Sequence, residues 1–156
     1  HKGHIMKCII IFIAILLIGS YFCFAQEYGN VIDTPKSINR IIEKINAAEL
    51  ARYEKFRNGR SEFVYDPDWF TCMVLTHRGI GPVVYFWPTL MEHRLSKNEI
   101  LALKPKFEKI STIYRFKQIG IRRIAIGIYG NDNRGPVLII DVSSGEYIFD
   151  PQCLVH

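Results

Sequence analysis

The stretch WFTCMVLTHRGIGPVVYFW, residues 69–87, decides the fold of this chain. In an extended strand its first half places apolar side chains on both faces. One face carries Trp69, Met73 and Leu75, and the other carries Phe70, Cys72 and Val74. Such a pattern is typical of a strand inside a sheet that is covered on both sides. Gly79-Ile80-Gly81-Pro82 then turns the chain into a second strand, Val83 to Trp87, which Pro88 ends.

A long amphipathic helix is predicted before these strands. Thr34-Pro35 is a typical helix start, with Thr34 as the N-cap and Pro35 at the first helical position. Apolar side chains then recur on one stripe at helical spacing. The stripe consists of Ile38, Ile41, Ile42, Ile45, Ala48 and Tyr53. Asn58-Gly59 ends the helix, which we expect to cover one face of the sheet; a partner-binding surface is the alternative.

The segment that joins this helix to the first strand is predicted to hold two small elements. Glu62 to Tyr65 has the composition of a short strand, and Asp66-Pro67-Asp68 is typical of a turn. Two carboxylates beside a proline could also contact a cation, but two do not make a calcium loop. We therefore expect Asp66 and Asp68 to lie in a solvated turn.

The second half of the chain predicts a further helix and a meander. Ser96-Lys97-Asn98-Glu99 is a capping box that begins the helix, and Pro105 is expected to break or kink it. Three strands follow, separated by the turn sequences GNDNRG and SSG. They are Arg122 to Tyr129, Pro136 to Val142 and Glu146 to Phe149.

The predicted fold class is α+β. It combines a mainly antiparallel sheet, which contains the C-terminal three-strand meander, with a long N-terminal helix and a short second helix. Many small folds have this layout, so the fold class by itself indicates no activity.

The segment MKCIIIFIAILLIGSYFCFAQEYG, residues 6–29, has the parts of a secretory signal peptide. Lys7 supplies the positive charge, Ile9 to Ile18 the apolar run, and Cys23-Phe24-Ala25 a cleavage site ahead of Gln26. The alternative, a retained membrane anchor, is at the short limit of a bilayer span. We predict a cleaved signal at residues 6–25, a single domain at residues 26–156, and a periplasmic or secreted location. Membrane contact is then expected only through the signal peptide.

Two cysteines, Cys72 and Cys153, remain after that cleavage. An even number in an exported chain favours a disulfide bond. A Cys72–Cys153 bridge would close a loop of about 80 residues and stabilise the fold by roughly 4 kcal/mol. A catalytic thiol at Cys72 with His77 as its base is the alternative, but residues five apart on a strand point to opposite faces.

The sequence gives little support to an enzyme, and it predicts no metal or cofactor. It contains no nucleophile elbow, no zinc-protease motif and no phosphate-binding glycine loop. The formal net charge of +5 falls to +3 without Lys2 and Lys7, which precede the cleavage site, and this small and scattered charge argues against nucleic-acid binding. Whether the chain is an enzyme stays open, and the sequence favours that it is not.

Two loops, THRGIGP and YGNDNRGP, are the candidate binding sites because loops held by a rigid sheet often carry binding residues. Their candidate partner-binding residues are Arg78, Asn131, Asp132 and Arg134. The resulting hypothesis is an exported domain that binds another protein, for example an inhibitor or immunity protein that neutralises a cell-envelope-targeting enzyme or toxin. The alternatives are a small extracytoplasmic hydrolase and a carrier of a small apolar ligand.

Overall fold

The structure is a computed structural model that describes residues 31–88, 95–127 and 137–150. The described residues from Ile32 onward belong to one compact unit. The helices are α1 (Lys36–Arg57), α2 (Lys97–Ile113) and α3 (Phe116–Ile119). The strands are β1 (Val31–Ile32), β2 (Phe70–His77), β3 (Gly81–Pro88), β4 (Arg123–Ile126), β5 (Val137–Asp141) and β6 (Tyr147–Asp150).

The described strands form one sheet in the order β1-β2-β3-β4-β5-β6. β2 and β3 pair antiparallel, as do β4 with β5 and β5 with β6. β3 and β4 are parallel, and the chain crosses between them through α2 and α3. The prediction of an α+β fold with a mainly antiparallel sheet and a C-terminal meander is confirmed.

The hairpin of β2 and β3 pairs Phe70 with Pro88 at its open end and His77 with Gly81 at the turn. The turn needs glycine because Gly79 and Gly81 have φ angles of +84° and +102°, which side chains with a Cβ rarely adopt. β2 begins and ends one residue later than the predicted strand, Trp69 to Thr76. β3 extends beyond the predicted Val83 to Trp87 at both ends and includes Pro88.

The main core lies between the helices and one face of the sheet. α1 covers β2, and α2 contacts β4 and β5. Phe86 is fully buried at its centre, with ring centroids 4.4 Å from Phe107 and 5.6 Å from Phe70. The other face of the sheet is buried too, at Leu75 and Tyr85 for example, so the two-sided burial predicted for the first strand is confirmed.

The limits of α1 differ by one residue from the predicted start and agree at the end. Pro35, not Thr34, stands at the N-cap, and the Thr34 hydroxyl instead hydrogen-bonds the Thr76 hydroxyl at 2.8 Å. Asn58 ends the helix in the left-handed region with φ 50°, as Asn58-Gly59 predicted. On the predicted apolar stripe, Ala48 is exposed, and the buried position one residue further on is Glu49.

The capping box of α2 is confirmed in both directions. The Ser96 N–H donates to Glu99 Oε2 at 2.7 Å, and the Glu99 N–H donates to Ser96 Oγ at 3.3 Å. The expectation that Pro105 breaks the helix is wrong, because α2 continues through it to Ile113. Pro105 lies on the exposed side of the helix and costs it one backbone hydrogen bond. The burial of Phe107 in the core outweighs that loss.

Candidate functional site

The segment 58–69, which we call the aromatic loop, connects α1 to β2. It contains no helix and no strand, so the strand predicted for Glu62 to Tyr65 is wrong. The reason lies in the backbone of Val64, which bonds a side chain instead of a neighbouring strand. The Tyr53 hydroxyl of α1 donates to the Val64 carbonyl at 3.0 Å and accepts from the Val64 N–H at 3.2 Å. One side chain thus satisfies both polar groups of that residue.

An ion-pair cluster fixes the far end of the aromatic loop to the same helix. The Nη2 atom of Arg52 lies 2.6 Å from Glu49 Oε1 and 2.6 Å from Asp66 Oδ2. Asp66 is only 3 % exposed, so the prediction that it lies in a solvated turn is wrong. The guanidinium of Arg52 supplies the counter-charge that permits this burial.

Asp66 also organises the backbone that follows it. Its Oδ1 accepts from the Asp68 N–H at 2.9 Å, and its carbonyl accepts from the Trp69 N–H at 3.2 Å. The turn at residues 66–69 is therefore the predicted one, with Asp66 inside and Asp68 exposed. This turn carries the chain directly into β2.

Lys106 of α2 adds a third attachment. Its Nζ donates to the Asp68 carbonyl at 2.6 Å and lies 5.0 Å from the centre of the Phe70 ring. Burial lowers the pKa of Lys106, while the hydrogen bond to Glu49 raises the pKa of Arg52 above its already high value. Both helices therefore hold the aromatic loop through cationic side chains.

Next to this cluster, Asn46 covers the outer edge of β2. Its Nδ2 donates to the Cys72 carbonyl at 2.8 Å, and its Oδ1 accepts from the Cys72 N–H at 3.0 Å. A side-chain amide therefore occupies the place that a neighbouring strand would take at this residue.

The Cys72 side chain is buried, and burial raises the pKa of its thiol, as expected of an unreactive cysteine. Cys153 lies outside the described residues, so the Cys72–Cys153 disulfide stays a prediction.

His77 lies on the opposite face of β2 from Cys72, so the two do not form a catalytic pair. Its Nε2 and the Tyr85 hydroxyl are 2.7 Å apart, and both side chains are buried. Burial lowers the pKa of His77. A buried histidine satisfied by a tyrosine is a structural arrangement in the sheet.

The aromatic loop and the end of α1 expose three aromatic side chains, which we call the aromatic patch: Phe56, Phe63 and Tyr65. Their exposed fractions are 43 %, 67 % and 50 %. The buried Tyr53 ring supports two of them, with its centroid 6.5 Å from Phe56 and 6.4 Å from Phe63. On its other side, Tyr53 meets Trp69 edge to face at 4.7 Å. The patch therefore has a rigid base.

Of the sequence-predicted binding residues, only Arg78 is among the described residues, and it is not part of the aromatic patch. Arg78 is exposed in the turn between β2 and β3. Asn131, Asp132 and Arg134 lie outside the described residues, so their role stays a prediction. The sequence does not predict the aromatic patch, because the pattern of residues 62–65 favours a strand; the alternation of Phe63 and Tyr65 around Val64 is the available signal.

Within the described residues, no group of three or more His, Cys, Asp and Glu side chains is arranged to hold a metal ion. The helices of the described part are all too short or too polar to cross a membrane. Comparisons of the chain with protein-family models, with curated proteins and with solved structures found no match.

Proposed function

We propose that the chain is an exported protein-binding domain and that the aromatic patch is its binding surface. The observation that supports this most is the combination of exposure and rigidity. Phe56, Phe63 and Tyr65 are exposed, although the segment that carries the last two is fixed by bonds from Tyr53, Arg52 and Lys106.

Rigid exposed aromatics suit protein recognition for two reasons. Phe and Tyr are enriched at the centre of protein interfaces, where they contribute much of the binding energy. A surface that is already ordered also loses less conformational entropy on binding. The fixed base under the aromatic patch therefore favours tight binding over a small area.

The more specific form of the proposal is an inhibitor or immunity protein against a cell-envelope-targeting enzyme or toxin. It rests on the predicted export, the small size and the sequence without a recognised catalytic motif. The hydrolase and carrier alternatives stay predictions. The two buried carboxylates of the described part, Glu49 and Asp66, are both engaged by Arg52, which does not favour acid–base catalysis.

Affinity capture tests the proposal. The tagged chain, exported by its native host, is compared with a variant that carries Phe56→Ser, Phe63→Ser and Tyr65→Ser. The matched control is Ile148→Ser, since Ile148 on β6 is 64 % exposed and lies outside the patch. We expect the wild type and the control to retain the same protein and the triple variant to lose it.

Equal retention by all three proteins would show that the patch is not the binding surface. The inhibitor form has its own test, the activity of the captured protein once purified. If the chain binds that protein without lowering its activity, the inhibitor form is wrong.

A further inference from the structure

We propose that Phe63 is the anchor of this surface and that its partner is a protein with an apolar pocket rimmed by carboxylates. This inference rests on the proposed function and names the chemistry of the partner. It separates one residue from the rest of the aromatic patch and gives a role to the charges beside it.

The exposure and attachment of Phe63 support its role as the anchor. It is the most exposed large apolar side chain of the described residues, at 67 %. Val64, the next residue, has its N–H and its carbonyl held by Tyr53. A large ring that projects from a fixed backbone is suited to enter a concave apolar site, because little freedom is left to lose. Phe56, by contrast, belongs to the helix and is less exposed.

The charges close to Phe63 in the sequence support the carboxylate rim. From residue 55 to residue 65 the chain has three basic residues and one acidic residue, Glu62. Arg57 is paired with Glu54 at 2.8 Å. Lys55 and Arg60 are exposed, and neither forms an ion pair in the described part of the chain. Two exposed cations that precede the anchor in the chain, without an ion pair among the described residues, complement acidic groups around an apolar pocket.

A protein fits these observations better than a lipid surface does. Recognition of anionic lipid typically uses clusters of four to eight Lys and Arg residues. In the segment 55–65, Lys55 and Arg60 are the cations without an ion pair among the described residues, and Glu62 lies in the same segment. Aromatic anchors with a few flanking charges are instead the usual composition of a protein interface.

The test uses the protein retained in the affinity capture, purified and titrated by calorimetry against variants of the full chain. We expect Phe63→Ala to weaken binding at least about thirty-fold, the range of an interface anchor. Ile148→Ala, the control, should bind within about two-fold of wild type. The double variant Lys55→Glu, Arg60→Glu should slow association several-fold at about 50 mM salt and less at about 300 mM salt.

Several outcomes would overturn the inference. If Phe63→Ala binds within about three-fold of wild type while the triple patch variant does not bind, the anchor is wrong and the proposed function stands. If the double charge variant associates as fast as wild type at both salt concentrations, the acidic rim is wrong. Capture of no protein, or full binding by the triple variant, overturns both the anchor and the proposed function.

Sedimentation with phospholipid vesicles distinguishes a lipid surface from a protein partner. The wild type and Phe63→Ala are sedimented with vesicles of about four parts neutral to one part anionic phospholipid. No cosedimentation supports a protein partner, and cosedimentation that Phe63→Ala abolishes overturns it. Because Phe63 is mostly exposed, its variant should unfold at the wild-type temperature, which confirms that any loss is not a folding defect.

Discussion

The aromatic loop and the β2–β3 hairpin are neighbours in the chain, but different interactions hold them. The hairpin is held by backbone pairing along its whole length, from Phe70 with Pro88 to His77 with Gly81. The aromatic loop has no such pairing, and side chains of α1 and α2 hold its backbone. A segment without secondary structure can thus be held in place by side chains. Unlike backbone pairing, each of these contacts can be removed by a single substitution.

This difference also explains what each region displays. Strand residues in the hairpin direct apolar side chains into the two covered faces of the sheet. In the aromatic loop, the inward contacts come from Asp66, the Val64 backbone and the Trp69 ring, while Phe63 and Tyr65 are exposed. The polar contacts of Asp66 and Val64 attach the loop to α1, and the same arrangement leaves the rings of Phe63 and Tyr65 exposed.

The largest effect is expected in the hairpin core. Phe86→Ala removes a fully buried ring that packs on Phe70 and Phe107, and it should lower the free energy of unfolding by about 3–5 kcal/mol. Phe63→Ala, the same change in the aromatic loop, should stay within about 0.5 kcal/mol. Urea denaturation measures the free energy of unfolding of both variants. Equal losses would contradict the distinction between the packed hairpin and the exposed ring of the aromatic loop.

The next largest effect is expected at Arg52. Arg52→Ala leaves Glu49 and Asp66 buried without their shared cation. Because the Arg52 side chain is 38 % exposed, water can replace part of the interaction, and we expect a loss of about 2–3 kcal/mol. Arg52→Lys, which keeps the charge without the forked geometry, should fall in between. Denaturation curves in which both variants match wild type would show that the cluster does not stabilise the fold.

A smaller effect is expected at Tyr53. Tyr53→Phe keeps the ring contacts with Trp69 and Phe63 but removes the hydroxyl from both polar groups of Val64. We expect about 1 kcal/mol of destabilisation. Tyr147→Phe on β6, where the side chain is 46 % exposed, is the matched control and should have no effect. If the two variants unfold alike, the Tyr53 hydroxyl does not hold the loop.

A pH dependence of stability near neutral pH is expected from the sheet, at His77. Burial lowers the pKa of His77 below its ordinary 6.5, so the unfolded chain takes up the proton first as the pH falls. The contribution of His77 to folding stability is therefore complete above pH 6.5. It is lost as the pH falls from 6.5 through the lower pKa that His77 has in the folded state. A hydrogen bond from the Ser144 backbone lowers the pKa of Asp141. The stability that Asp141 contributes is therefore lost only as the pH falls below 3.8, the ordinary pKa of the group.

The measurement for His77 is the free energy of unfolding between about pH 5 and pH 8, for wild type and His77→Gln. We expect the wild type to lose stability toward the acid end and the variant to show a flatter profile. Parallel profiles would assign the acid sensitivity to other groups.

How far the sequence predicts the molecule follows from the same two regions. The apolar run Trp69 to Thr76 and the glycines of the turn predict the hairpin, because strand pattern and turn chemistry are local. The aromatic loop depends on contacts between residues far apart in the chain, such as Arg52 with Asp66 and Lys106 with Asp68. A local pattern does not reveal such partners, so it predicts a solvated Asp66 and a strand at Phe63.

The most direct test of the central claim, that the aromatic loop is fixed although it lacks secondary structure, is amide hydrogen exchange. The amides of Val64, Asp68 and Trp69 each donate a hydrogen bond, at 3.2 Å, 2.9 Å and 3.2 Å. We predict that all three exchange far more slowly than in an unstructured peptide, and that Tyr53→Phe releases Val64 first. Exchange of all three at the unstructured rate in the wild type would contradict the claim.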